Sequence, residues 1–131
     1  MSSPDALKLT RWCRWMLALV FIYHGLVPKV LFLSPVEVQM VEAAGMGLDA
    51  QIISPLAGVG EVLLGLLILF GWFGRWPVLA AALGLVGLLA YVALYTPALL
   101  LGAFNPVTTN LPALLLCGLI IRLETGCNTA V

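Results

Sequence analysis

His24, Lys29 and Glu61 are ionisable side chains set in stretches that are otherwise almost wholly apolar. An imidazole, an ammonium and a carboxylate held in hydrocarbon can exchange protons or donate hydrogen bonds to a carbonyl oxygen. Such groups often mark functional sites, because burying them costs several kcal/mol unless they are paired or neutralised. Tyr91, Asn105 and Asn110 add a phenol and two amides to the same inventory. Each also has a structural reading. Glu61 can simply tie two helices together, Lys29 can reach out to the headgroups or turn inward and neutralise Glu61, and a tyrosine can sit in an interfacial aromatic belt.

Spacing narrows these choices. Glu61 lies about eight residues inside its apolar run, or roughly 12 Å deep at 1.5 Å per helical residue. His24 lies about nine residues before Leu33, roughly 13 Å deep by the same rise. The matched depths allow a hydrogen bond between the two. Gly58, Glu61 and Gly65 fall at i, i+3 and i+7, so the carboxylate shares a face with glycines that permit close helix approach. On an ideal helix Lys29 sits about 140° around from His24, but Pro28 removes a helical hydrogen bond between them. Ala80, Gly84, Gly87, Tyr91 and Tyr95 form one face of a later run. Its small residues are expected to touch another helix, and its tyrosines to aim hydroxyls inward. Thr108, Thr109 or Asn110 is the expected N-cap of the last helix, with Pro112 in its first turn. If that helix is short, its free amides lie below the surface and can meet an anion or a carbonyl.

These residues need membrane helices to hold them. The chain has 131 residues, 63% hydrophobic and 9% charged, and its mean hydropathy is +1.13. A soluble domain carries about 25% charged residues, so this composition describes an integral membrane protein of one domain. Zero net charge gives no electrostatic support for a nucleic-acid partner. Four runs approach the roughly 20 apolar residues that cross a bilayer: about 12–33, 53–73, 76–96 and 108–123. None alternates as a barrel strand would. The fold expected is all-α, a four-transmembrane-helix bundle with a short interfacial helix within residues 35–50. Residues 97–107 begin and end near prolines and fit a kink, an interfacial piece or a re-entrant piece.

The basic N-terminal residues and the apolar run after them resemble a signal peptide. That run is longer than such a peptide's core and no cleavage site follows, so it is read as a retained helix. Cys13, Cys117 and Cys127 have neither C-x-x-C nor metal-ligand spacing, which argues against thiol–disulfide chemistry and leaves packed thiols as the reading. Lys8, Arg11, Arg14, Arg75 and Arg122 fall on one side of a four-span chain. That side is expected to be cytoplasmic, with both termini. Trp12, Trp15, Trp72 and Trp76 gather there as an interfacial belt. The site candidates then occupy the outer half, and the cytoplasmic half is expected to be almost purely apolar packing.

The elements H-G-L-V-P-K at 24–29, G-x-G-E at 58–61, F-N-P at 104–106 and N-L-P at 110–112 resemble the DoxX-like family. The resemblance covers nearly the whole chain. It implies a four-helix protein of the bacterial inner membrane, linked to membrane oxidoreductase assemblies. Relatives named DoxD and DoxA are subunits of a thiosulfate:quinone oxidoreductase. It carries over no catalytic residue.

Three functions compete. The first is a redox-associated subunit that binds a quinone or a similar small hydrophobic ligand through His24, Lys29, Glu61, Tyr91, Asn105 and Asn110. The second is a non-catalytic assembly subunit or chaperone, with a membrane oxidoreductase or a second copy as partner. The third, a small transporter, is disfavoured because polar residues do not line the full length of the spans.

Overall fold

The computed structural model describes residues 3–128. Among these residues, four helices are long and apolar enough to cross a membrane. The first, α1, runs Ser3–Gly25 and continues through wider π-helical turns over Leu26–Leu31. A short helix α2 follows at Pro35–Ala43, then α3 at Ala50–Phe70, α4 at Trp76–Tyr95 and α5 at Pro106–Asn128. The fold is the expected all-helical membrane bundle, with α2 as the additional helix between the first two spans.

The punctuation of these helices is local chemistry. Pro28 has no N–H, and its ring would strike the carbonyl one turn back. The chain responds by widening, and Phe32 N–H donates to Val27 O at 2.9 Å. A wider turn advances each residue through a smaller angle, so Lys29 lies closer to the His24 face than an ideal helix would place it. Ser34 caps α2, its hydroxyl accepting from Glu37 N–H at 3.3 Å. Asp49 caps α3 by accepting from Gln51 N–H at 2.9 Å, which starts that helix three residues before the apolar run at 53. Gly71, at φ 70°, ends it in the left-handed conformation that glycine adopts without strain. Thr96, held out of the α-region by the following proline, ends α4, so Pro97 terminates the helix rather than kinking it. Pro97–Leu101 then forms a tight 3-10 turn. Leu101 and Phe104 there are almost fully exposed, which suits a headgroup layer.

The last helix differs from expectation. Its N-cap is Asn105, whose side-chain oxygen accepts from Thr108 N–H at 3.0 Å. Pro106 takes the first position and Pro112 falls inside the helix. The cap therefore lies at the helix surface, not at depth, because Asn-Pro starts α5 one turn before the hydropathy rises.

Packing is uneven. The α1 and α3 backbones meet at Gly25, Gly58 and Gly65, all buried. A methyl group on Gly58 would collide with the Gly25 carbonyl and come within 2.8 Å of Lys29 Cβ. On the far side α4 leans on α5, and α3 and α4 barely touch although they are consecutive. Leu17, Ala18, Ile68, Val78, Ala81, Cys117 and Ile120 fill the core between these pairs. Cys13 and Cys117 pack there as small apolar groups, and the Cys127 side chain lies outside the described ones.

The end carrying the termini is not purely apolar, contrary to the sequence reading. Arg14, only 8% exposed, donates to Glu124 Oε1 at 2.7 and 3.0 Å. It also donates to the backbone carbonyls of Ile68 at 3.2 Å and Gly74 at 2.8 Å. One guanidinium thus ties α1 to α5, to the last turn of α3 and to the loop that follows it. Hydropathy hides this residue because Arg14 resembles its exposed neighbours Lys8 and Arg11.

Three substitutions test the packing by thermal melting in mild detergent. Gly58→Ala is expected to lose about 1–3 kcal/mol by overpacking, while Gly60→Ala, whose new methyl meets nothing within 4 Å, is expected to gain up to about 1 kcal/mol from helix propensity. Arg14→Lys keeps the charge but loses the planar fork, and is expected to cost about 1–3 kcal/mol.

Candidate ligand site at the α2 end

The site is built around Lys29. The π-helical turn delivers it to the α1–α3 contact, where it is 8% exposed. Its ammonium donates to Glu61 Oε1 at 2.5 Å and stands 3.8 Å from Glu37 Oε1. Lys29 therefore turns inward and does not reach out to the surface. Ser54, fully buried on α3, donates to the other Glu37 oxygen at 3.4 Å. One cation lies between two carboxylates, so the cluster has either an excess negative charge or a proton.

Glu37 escaped the sequence reading, which placed residues 35–50 in an interfacial helix and took no site residue from them. The signal was its position. Glu37, Met40, Val41 and Ala44 fall at i, i+3, i+4 and i+7, and that face of α2 closes over Lys29, Ile53 and Tyr91. Burial pushes the Glu37 carboxyl above the ordinary glutamate range, and Glu61 adds to the shift. Lys29 and the Ser54 hydroxyl oppose both. A neutral Glu37 would leave Lys29 and Glu61 as a balanced pair.

The other candidates separate into members and non-members. His24 and Asn110 line a cavity of about 70 Å³ together with Lys29, Glu37 and Glu61. His24 is otherwise exposed, its ring edge-on to Tyr23 with centroids 6.0 Å apart. The expected His24–Glu61 hydrogen bond is not formed, and Glu61 Oε1 accepts from Lys29 instead. Asn110 is 7% exposed. Its amide nitrogen and Glu61 Oε2 are both buried without a hydrogen-bond partner. The Tyr91 hydroxyl donates to Met40 O at 2.5 Å, pinning α2 to α4 rather than pointing at the charges. Asn105 stands apart as the α5 cap, with its amide donating to Gly102 O at 3.0 Å.

The small residues of α4 also behave differently from expectation. Methyl groups added at Gly84 or Gly87 would meet nothing within 4 Å. These glycines do not press on another helix. They line an open cleft of about 520 Å³ between α3 and α4, with Lys29 and Glu61 also lining it.

A model of the DoxX-like family matches residues 18–118, and the chain belongs to that family. The matched region contains α1 from Ala18 onward, α2, α3, α4 and most of α5, and with them the whole cluster. No curated protein and no solved structure matches the chain.

The raised Glu37 carboxyl makes stability depend on pH. The folded protein holds that proton more tightly than the unfolded chain. The contribution is fully present below the unfolded glutamate value, about 4.3, and is lost as pH rises through the higher folded value. Melting temperatures across this range should fall with pH in wild type, and Glu37→Gln should flatten the fall.

Proposed function

We propose that this DoxX-like protein is a redox-associated membrane subunit. It binds a quinone, or a similar small carbonyl compound, at the Lys29–Glu61 cluster. One observation carries the reading: Asn110 and Glu61, which line one cavity, bury a donor, Nδ2, and an acceptor, Oε2, without protein partners. An unpaired buried polar group costs about 1–3 kcal/mol. A ligand bearing a carbonyl, a hydroxyl or both relieves that cost. A family link to quinone-dependent assemblies points the same way.

The residues divide the work by their chemistry. Lys29 and Asn110 are donors suited to a carbonyl oxygen. Glu61 Oε2 accepts from a hydroxyl. Glu37 and His24 hold protons at the edges of the cavity, His24 on the exposed side. Apolar Phe21, Leu85 and Leu88 wall the cavity and exclude water. A bound quinone supplies reversible two-electron, two-proton chemistry. The electrons come from a partner membrane oxidoreductase.

The orientation proposed follows the basic residues. Lys8, Arg11, Arg75 and Arg122 lie at the end carrying the termini, together with the four tryptophans, all exposed. That end is cytoplasmic in a bacterial inner membrane, and the cluster lies toward the outer face.

Native mass spectrometry of wild type and Glu61→Gln from mild detergent tests the reading. Wild type is expected to retain a small molecule with the mass of a quinone, and the variant to lose it. If neither carries a ligand while a protein subunit co-purifies with both, the cluster serves helix assembly and the quinone reading fails.

A further inference from the structure

We infer that the α3–α4 cleft is a lateral binding channel, and that the ligand of the charged cluster is an amphiphile with an oxygen-bearing head and a long apolar chain. The inference rests on the reading of the cluster as a head-group site. Its first support is size. The charged cavity, about 70 Å³, is roughly half the 150 Å³ or so that accommodates a benzene ring. It admits a polar head's oxygen end but not a ring with its substituents. The cleft, about 520 Å³, falls within the roughly 300–1,000 Å³ of small-molecule sites.

The second support is continuity. Cavity and cleft share Phe21, Lys29, Glu61, Leu85 and Leu88 as walls. A head seated between Lys29 and Asn110 therefore has its remaining atoms directed into the cleft. Both walls of the cleft are spans, so it opens sideways into hydrocarbon, and its occupant there is apolar.

The third support is the kind of glycine used. Gly25, Gly58 and Gly65 are where side chains would collide. Gly60, Gly84 and Gly87 have open space at the same position. A glycine inside a helix costs roughly 1 kcal/mol against alanine. These three gain no helix contact in return. What they provide is width, beside a buried and unpartnered Asn110 amide and Glu61 oxygen.

The test compares a tailless benzoquinone with its decyl-tailed homologue. Affinities are measured by native mass spectrometry titration in one detergent for wild type, Gly84→Leu, Gly87→Leu and Lys29→Met. A Cβ at the open positions meets nothing within 4 Å, and melting temperatures no lower than wild type verify folding. Wild type should bind the tailed quinone at least ~10-fold more tightly, since burying only a few methylenes at about 0.8 kcal/mol each gives that factor. The two leucine variants should lose that preference, and Lys29→Met should weaken both ligands. If both leucine variants keep the preference, the channel is overturned while the head-group site stands. If wild type binds neither quinone, the head-group reading itself fails, and the channel with it. If Gly84→Leu turns a dimer into a monomer without touching the preference, the cleft holds a second copy of the chain, which also overturns the inference.

Discussion

An ammonium group set in hydrocarbon needs an anion within reach, and the α2 end of this protein is arranged around that need. Lys29 has Glu61 at hydrogen-bond distance and Glu37 just beyond. Breaking such a pair by removing one partner costs about 3–5 kcal/mol. The surrounding features make the pairing possible. Pro28 widens the turn and brings Lys29 round toward α3. Glycines let the α1 and α3 backbones approach, so a lysine and a glutamate on adjacent helices can meet. Ser34 starts α2 and Asp49 starts α3, which leaves α2 placed to fold over the pair.

In a bilayer, helices gain little from burying apolar surface against one another, because lipid is equally apolar. Close packing and polar pairs hold the bundle instead. This chain uses both, and it uses polar pairs at both ends. Arg14 closes the end carrying the termini by joining α1, α3 and α5. The Lys29 cluster closes the other by joining α1, α2 and α3. Between them the core is small, and large apolar side chains such as Leu63, Leu83 and Leu94 face outward. The two charge clusters differ in chemistry. The Arg14 fork has its acceptors matched within the protein. The Lys29 cavity keeps a donor and an acceptor unmatched, and for that reason it is read as the ligand site.

The same asymmetry separates the helix pairs. The α1–α3 pair is closed by glycines in contact, and the α3–α4 pair is held open by glycines with nothing beside them. Identical residues serve opposite ends because what matters is the element opposite each one. Tyr91 pins α2 to α4 across the head of the open pair, where the cleft shares walls with the charged cavity.

By itself the sequence determined the membrane class, the number of spans, the additional helix between the first two and the family. Long apolar runs, prolines and capping residues act locally, and their consequences can be read along the chain. Depth could be read too, since a fixed rise per residue put His24 and Glu61 at one level. What the sequence left open was which groups meet. Lys29 displaced His24 as the partner of Glu61 because a π-helical turn changed its angle. Glu37 joined from α2 because a helix between spans can fold inward. Arg14 became a buried clamp, and Asn105 became a cap rather than a ligand group. Only the tertiary structure decided these, because pairing depends on rotation about helix axes and on the gap to the neighbouring helix. Neither quantity is recorded in the order of residues along one strand of chain.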